Sequence, residues 1–294
     1  KKKYKVIATD TQSTGKKKFL KHVKNKNFKF YKLDLLQNKL DKYFKNAEIV
    51  FHLAANADVR YGIFQRDKDI KQNILVTHNI LEQIIKHNIK KIVFSSTGSV
   101  YGEANEIPTK ENTAFPIQTS LYGASKISAE ALISAYSEAY NIKSYIFRFV
   151  SILGERYSHG HVFDFLIQLL KNNNQLRVLG DGYQNKSYLH VSDCIEAIFL
   201  SIKKFSKKVN IINLGTQETI TVRKSINIIV KKLGLNPKII FKGGRRGWIG
   251  DNPLIFLDTK KIRSIGWRPK FTIKQSVENT LDYLNKNKWI LKKK

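Results

Sequence analysis

The sequence contains no methionine and a single cysteine, Cys194. One thiol excludes an internal disulfide and fits a reducing, cytoplasmic setting, where it is expected to be a small buried apolar side chain rather than a nucleophile. With no initiator methionine, the chain is expected to begin at an internal point of its gene. Acidic residues are also scarce, 23 Asp and Glu against 53 Lys and Arg, which gives a formal net charge of +30. The lysines are scattered over the whole chain, whereas a nucleic-acid surface gathers Lys and Arg on one face with aromatic contacts to bases. The excess therefore reads as a solvated surface that attracts anionic ligands in a salt-dependent way, and no nucleic-acid partner is expected. No apolar run approaches the roughly 18 residues of a membrane span, no signal-peptide pattern is present, and no internal repeat appears. At 294 residues, 42% hydrophobic and 26% charged, the chain can bury a sizeable core in one large or two modest domains.

A further absence concerns glycine. VIATD (6–10) is a short apolar run that ends on Asp10 and is followed by a Ser/Thr/Gly turn. It reads as the second strand of a dinucleotide-binding unit, with the acid placed to accept from a ribose hydroxyl. A glycine-rich phosphate loop should come about 20 residues earlier, yet only Lys1, Lys2, Lys3, Tyr4 and Lys5 precede it.

Beyond that point apolar runs alternate with helical patterns. FKFYKLDL (28–35), EIVFHLAA (48–55), KIVFSST (91–97) and SYIFRF (144–149) read as strands, while 67–88 and 120–140 carry apolar residues at helical spacing. Such alternation predicts an α/β fold, a doubly wound parallel sheet with helices on both faces and ligands at the carboxyl ends of the strands. The residues ending each strand are accordingly Asp10, Asp34, Ala54-Ala55, Ser95-Ser96-Thr97 and Phe149-Val150-Ser151. After 151 come a helix from HVFDFLIQLLK, a strand, a Gly-Asp-Gly turn and a second strand. A helix with Ser192 or Asp193 near its start follows. The tail holds a strand IINLG, a helix over about 221–233, a strand KIIFKG, the loop GGRRGWIGDNP and a last helix at 272–287. This second half reads as a smaller lid built onto the sheet.

The sharpest chemical signal is SLYGASKISAE, where Tyr122 and Lys126 stand at i and i+4 on one helix face. A neighbouring ammonium favours a phenolate and lowers its pKa, so the pair suits proton transfer to and from an alcohol. Thr97, ending a strand ahead of that helix, supplies a hydroxyl to orient a substrate oxygen. His52, His159, His161 and His190 lack carboxylate or Cys partners at metal-ligand spacing, and no metal is expected.

SSTGSVYG (95–102), YGASK (122–126), HLAA (52–55), GDGYQNKSYLHVSD (180–193) and GWRPK (266–270) together resemble the extended short-chain dehydrogenase/reductase family. Within it the chain is similar to the NAD-dependent sugar-nucleotide epimerase/dehydratase group, and most of all to UDP-glucose 4-epimerase-like members. The match runs from Val6 to the last helix. The resemblance implies a Rossmann-type domain over 1–152 and 187–218 whose first βα unit, with its G-x-x-G-x-x-G loop, is missing, and a smaller α/β substrate domain over 153–186 and 219–294. It implies NAD as cofactor, a homodimer, and C4 epimerisation of a UDP-hexose through a 4-keto sugar. A chain without the glycine loop is expected to bind NAD weakly and not to turn over, because that helix N-terminus carries the pyrophosphate.

The resemblance further makes Tyr122 the base, Lys126 its partner on the nicotinamide ribose and Thr97 the hydroxyl of the triad. Asp10 falls at the adenosine ribose, Asp34 and Leu35 at the adenine, and Leu53, Ala54 and Ala55 beneath the cofactor phosphates and ribose. Asn73, Ser95 and Val150 complete the cofactor set, and Ser151, Arg177, Lys186, Arg246 and Asp251 form the substrate set. Arginine suits a diphosphate because its planar fork holds phosphate oxygens bidentately. Lys186 stands where the family usually has Arg, keeping the charge without the fork, and Ser151 replaces a longer Asn. Dehydratases of the family follow the strand-end Thr with Asp-Glu, whereas Gly98-Ser99 follows Thr97 here. A dehydratase or decarboxylase is the alternative within the family, and a polyanion-binding protein the alternative outside it.

Overall fold

The computed structural model describes residues 4–37, 39–114 and 117–291. In chain order the first elements are β1 (Val6–Asp10), β2 (Phe28–Lys32), α1 (Asp41–Phe44), β3 (Val50–His52), α2 (Tyr61–Phe64) and α3 (Arg66–Asp69). A π-helical stretch over Ile70–Leu75 leads into α4 (Val76–Lys86). Then come β4 (Lys91–Thr97), α5 (Leu121–Tyr140), β5 (Lys143–Phe149), β6 (Ser151–Leu153), α6 (His161–Lys171), β7 (Gln175–Val178), β8 (Asn185–Lys186), β9 (Tyr188–His190) and α7 (Val191–Lys204). The last are β10 (Val209–Leu214), β11 (Ile220–Thr221), α8 (Val222–Leu233), β12 (Lys238–Phe241), β13 (Leu254–Ile255), α9 (Lys260–Ser264) and α10 (Ile273–Lys286).

The centre is a parallel sheet in the order β10-β5-β4-β3. Its strands are apolar on both sides because both faces are covered. Val93, Tyr145 and Phe147 point into a core shared with Cys194, Ala197 and Ile198 of α7. Their neighbours Ile92, Phe94 and Ile146 point the other way, against Val76, Ile80, Leu81 and Ile84 of α4 and Ala129 and Ile133 of α5. The two-residue alternation of the strands thus sorts them between two helical layers. This is the parallel, Rossmann-like α/β architecture that the alternating sequence predicts.

Strands β1 and β2 pair in parallel with each other, and among the described residues neither pairs with the four-stranded sheet. Val6 and Ile7 on β1 and Phe51 on β3 are exposed, with Phe51 resting on Phe199, ring centroids 6.0 Å apart. Smaller pairings build the second half: β7 with β12, β6 with β9, and β8 between β11 and β13. A third core joins Val162, Phe165 and Leu166 of α6, Leu176 and Val178 of β7, Ile226 and Ile229 of α8, and Val277, Leu281 and Leu284 of α10. Leu257, Ile262 and Trp267 pack instead on the β4/β5/α7 core. In the Gly-Asp-Gly turn, Gly180 and Gly182 hold φ of +74° and +81°, and a side chain at either would run into Gln184 or Phe241.

Candidate active site

Helix α5 starts where its sequence says it should. Ser120 caps it, its side chain accepting from Gly123 N–H at 3.0 Å, and Asn141 ends it in the left-handed conformation. The start places Tyr122 and Lys126 on the first two turns, facing the end of β4. Thr97 closes β4 and caps the 3₁₀ turn Gly98–Tyr101, its Oγ1 accepting from Ser99 N–H at 3.1 Å. The Thr97 hydroxyl lies close enough to the Tyr122 phenol to favour its ionised form. Sheet and helix therefore bring Tyr122 to the Thr97 end of β4, while Lys126, one turn on, lies against Phe94 of the same strand.

Burial, not mutual attraction, dominates the electrostatics there. Desolvation raises the Tyr122 pKa to about 12, with Thr97 pulling it down and the negative charge of Asp69 pushing it further up. Lys126 is 1% exposed, and its burial lowers its pKa to about 7 against the opposing charge of Glu130. The expectation that Lys126 lowers the Tyr122 pKa is not met: burial outweighs the other influences on Tyr122, and the charges acting on the two groups are those of Asp69 and Glu130.

The surroundings of Lys126 are unusual for an ammonium. Its Nζ sits 4.0 Å from the Phe94 ring centroid and makes no hydrogen bond to a described residue. His52 Nε2 and Thr77 Oγ1 are 2.7 Å apart, and Thr77 donates to the Asn73 carbonyl, so His52 donates from Nε2 and keeps Nδ1 as a buried lone pair without a partner. Burial and the charge of Lys126 hold the His52 pKa down at about 3. Three buried donors on Lys126 that the described residues leave unspent fit the hydroxyls of a ribose, as a dinucleotide would supply.

The other cofactor-side residues line the carboxyl ends of β1 to β5. Asp10 ends β1 exposed, its carboxylate accepting from Gln12 N–H. Asp34 and Leu35 follow β2; the Leu35 carbonyl is held by Asn79 at 2.9 Å. Leu53 and Ala54 are exposed after β3 and Ala55 is half-buried. The Ser95 hydroxyl reaches the His52 carbonyl at 3.4 Å, and Val150 is buried beyond β5. Asn73 is buried and engaged by protein on both sides of its amide: Oδ1 accepts from Asn56 N–H at 2.8 Å and Nδ2 donates to Ser125 Oγ at 2.8 Å. It stands beneath the site rather than on its surface.

Of the residues expected on the substrate side, Lys186, Arg246 and Asp251 gather at the loop 242–253. Lys186 Nζ donates to Asp251 Oδ1 at 2.8 Å and to the Asn252 carbonyl, and Asp251 Oδ2 accepts from Gly247 N–H at 3.1 Å. Thr119, just ahead of α5, donates to Asn252 Oδ1 at 2.7 Å and ties the loop to the catalytic helix. Arg246 pairs with Glu103, to which Arg245 also comes within 3.6 Å. Ser151 is exposed at the start of β6, and Arg177 lies exposed on β7, where its main chain bonds to Gln168. His161 bonds Ser225 Oγ at 2.8 Å, and burial together with the charge of Lys186 lowers its pKa to about 4.

Several structural partners escaped the sequence reading. Glu130 and Arg148 form a buried pair, Arg148 Nη2 to Glu130 Oε2 at 2.7 Å, and Ser96 donates to the same carboxylate. Asp69 and Asn56 surround Asn73. The i,i+4 spacings Lys126–Glu130 and Asp69–Asn73 were visible and are the signal that could have flagged them.

Comparison with known proteins agrees with this geometry. Residues 1–215 match the model of the NAD dependent epimerase/dehydratase family. A relative from Methanocaldococcus jannaschii is 33% identical, covering 97% of this chain and 92% of its own. The crystal structure of a UDP-galactose 4-epimerase superposes with a TM-score of 0.87 at 29% identity, covering 98% of this chain and 92% of that one. That of a UDP-glucose 4-epimerase with UDP-glucose, from the hyperthermophilic eubacterium Thermotoga maritima, gives 0.86 at 29% identity, covering 97% and 92%. A parallel α/β sheet that presents Thr97, Tyr122 and Lys126 at one strand end, matched over nearly its whole length by such enzymes, belongs to the NAD-dependent epimerase/dehydratase family.

Proposed function

We propose that this chain inverts C4 of a UDP-hexose with NAD as cofactor, and that Tyr122, Lys126 and Thr97 carry the proton chemistry. The observation that carries the reading is Tyr122 beside Thr97 at the end of β4, with Lys126 buried one turn further along α5 and with Gly98 and Ser99, not acids, following Thr97. Elimination of water needs a carboxylic acid in that place; its absence favours epimerisation over dehydration.

In this reading Asp10, Asp34 and Leu35 hold the adenosine end of NAD, Leu53, Ala54, Ala55, Ser95 and Val150 line its path, and Lys126 holds the nicotinamide ribose, with Asn73 supporting from below. NAD, when bound, supplies the hydride-accepting ring. Thr97 orients the C4 hydroxyl and Tyr122 takes its proton. Lys126, one turn along the same helix face, favours the phenolate form of Tyr122 whenever its own ammonium is charged. Arg246 exchanges Glu103 for the diphosphate, and Lys186, Ser151, Arg177 and Asp251 complete the nucleotide-sugar side.

We also infer two parts, 1–152 with 187–218 on the cofactor side and 153–186 with 219–294 on the sugar-nucleotide side, supported by the separate core around Leu166, Ile229 and Leu281. A homodimer through α4 and α5 is supported by Leu75, at the end of the π-helical stretch that leads into α4, and Tyr140 on α5, 44% and 51% exposed. A cytoplasmic setting is supported by the lone buried thiol of Cys194.

Tyr122→Phe tests the reading. In a version carrying an upstream strand and G-x-x-G-x-x-G helix, turnover of UDP-glucose should fall by roughly 10² to 10⁴, while calorimetric titration shows the nucleotide sugar still bound. Near-normal activity in that variant would sink the assignment.

A further inference from the structure

Asp69 ends α3 and is 1% exposed. Its Oδ1 accepts from Asn56 Nδ2 at 2.7 Å and from Asn73 Nδ2 at 3.4 Å. Its Oδ2 has no hydrogen-bond partner among the described residues, and it faces Gly62, where an added Cβ would lie 2.6 Å from Oδ2 and 3.1 Å from Leu121 Cβ. Burial raises its pKa, against the hydrogen bond from Asn56 and the charge of Lys68. An acid with one oxygen unpaired in the interior costs stability that Asn or Leu would not. The position is therefore not explained by packing alone.

The carboxylate does lead somewhere. Asn73 Nδ2 also donates to Ser125 Oγ at 2.8 Å, and the Ser125 hydroxyl donates to the Tyr122 carbonyl at 2.8 Å. Asn56 N–H closes the ring on Asn73 Oδ1 at 2.8 Å. The two anchors, Asp69 and Asn73, flank the start of the π-helical stretch Ile70–Leu75, a local widening of the helix that places four consecutive bonds of this network between α3, the loop after β3 and the first turn of α5.

We propose that Asp69 is a positioning residue for the proton-transfer pair: through Asn73, Asn56 and Ser125 it fixes the first turn of α5, and with it the direction of the Tyr122 phenol. The proposal rests on Tyr122 being the base. Asp69 touches neither substrate nor cofactor in this scheme. It acts on the helix that carries Tyr122, so its loss misaligns the phenol and lowers turnover without weakening nucleotide-sugar binding.

The test compares Asp69→Ala, Asp69→Asn and Ser125→Ala with the parent, all carried with an upstream strand and G-x-x-G-x-x-G helix, by amide hydrogen exchange and by steady-state kinetics. Asp69→Ala and Ser125→Ala should each speed exchange over 121–126 by about tenfold, leaving α7 and α10 unchanged. Each should lower kcat on UDP-glucose by about 10- to 100-fold with KM within about threefold. Asp69→Asn, which keeps an acceptor for Asn56, should restore both. Unchanged exchange over 121–126, a loss of protection spread evenly over the chain, or failure of Asn to rescue overturns the proposal. Should Asp69→Ala not fold, Ser125→Ala and Asp69→Asn decide it. A parent chain with no epimerase turnover would count against the functional reading, and the exchange data would still judge Asp69 separately.

Discussion

Lys126 shows most clearly what a sequence hides at the scale of one residue. The i,i+4 pairing with Tyr122 was legible, because spacing alone puts two side chains on one helix face. The state of the pair was not, because it depends on burial: Lys126 is 1% exposed with a pKa lowered to about 7, and Tyr122 is raised to about 12. Asn73 was legible as a residue of the site and not as one committed to Asn56 and Ser125. A stability prediction follows from the lysine. Its folded pKa lies below the unfolded value of 10.5, so the unfolded chain binds the extra proton between about pH 7 and 10.5 and stability rises with pH across that window. Below pH 7 the penalty is fully present. Lys126→Met should therefore be more stable than the parent by a few kcal/mol, on the order of the shift at about 1.4 kcal/mol per unit, at pH 6. The advantage should shrink steadily toward pH 10. Urea denaturation of both proteins at pH 6, 8 and 10 measures the difference, from which other titrating groups cancel; an advantage independent of pH would contradict it.

Among the elements, those with long patterns were readable. Strand β4 coincides with KIVFSST and α5 with the amphipathic stretch after Ser120, since a seven-residue run with a buried apolar centre or five helical turns outweigh local accidents. The two-residue strands β8, β11 and β13 and the single-turn α9 were not, because they are defined by their partners across the chain. Ser192 and Asp193 lie near the start of α7, as the sequence suggests, yet neither is its cap. His190 caps it, while the Asp193 carboxylate is drawn away to accept from Lys270 and Phe271 N–H at 3.0 and 3.1 Å. The joint between β5 and α5 is the buried pair of Arg148 and Glu130, with Tyr101 and Ser96 completing it. Removing one member strands the other's charge in the interior. Arg148→Met should cost about 3–5 kcal/mol, and Arg148→Met with Glu130→Met should recover much of that loss. A double-mutant cycle by denaturation checks this, and additive single losses would contradict it.

On the scale of the whole molecule, alternation of strand and helix foretold a parallel sheet, and the four strands β3, β4, β5 and β10 form it. What alternation could not foretell is that β1 and β2 pair apart from the other four, or that residues 16–19 reach across to the end of the chain. There Phe19 lies 5.1 Å from Trp289 and Lys16 donates to the Ile290 carbonyl at 2.9 Å. The charge of +30 surrounds a site read as binding a dianionic nucleotide sugar, where it favours capture of the ligand. The central claim is that this fold inverts C4 by removing and returning the same hydrogen while Tyr122 handles only the hydroxyl proton. The most direct measurement is proton NMR, in D₂O, of UDP-glucose incubated with NAD and the protein carrying an upstream strand and G-x-x-G-x-x-G helix. The account predicts UDP-galactose that retains protium at C4, with no loss of water. Deuterium at C4 would mean that a carbon-bound proton is exchanged with solvent, and a 4-keto-6-deoxy product would mean dehydration; either result contradicts it.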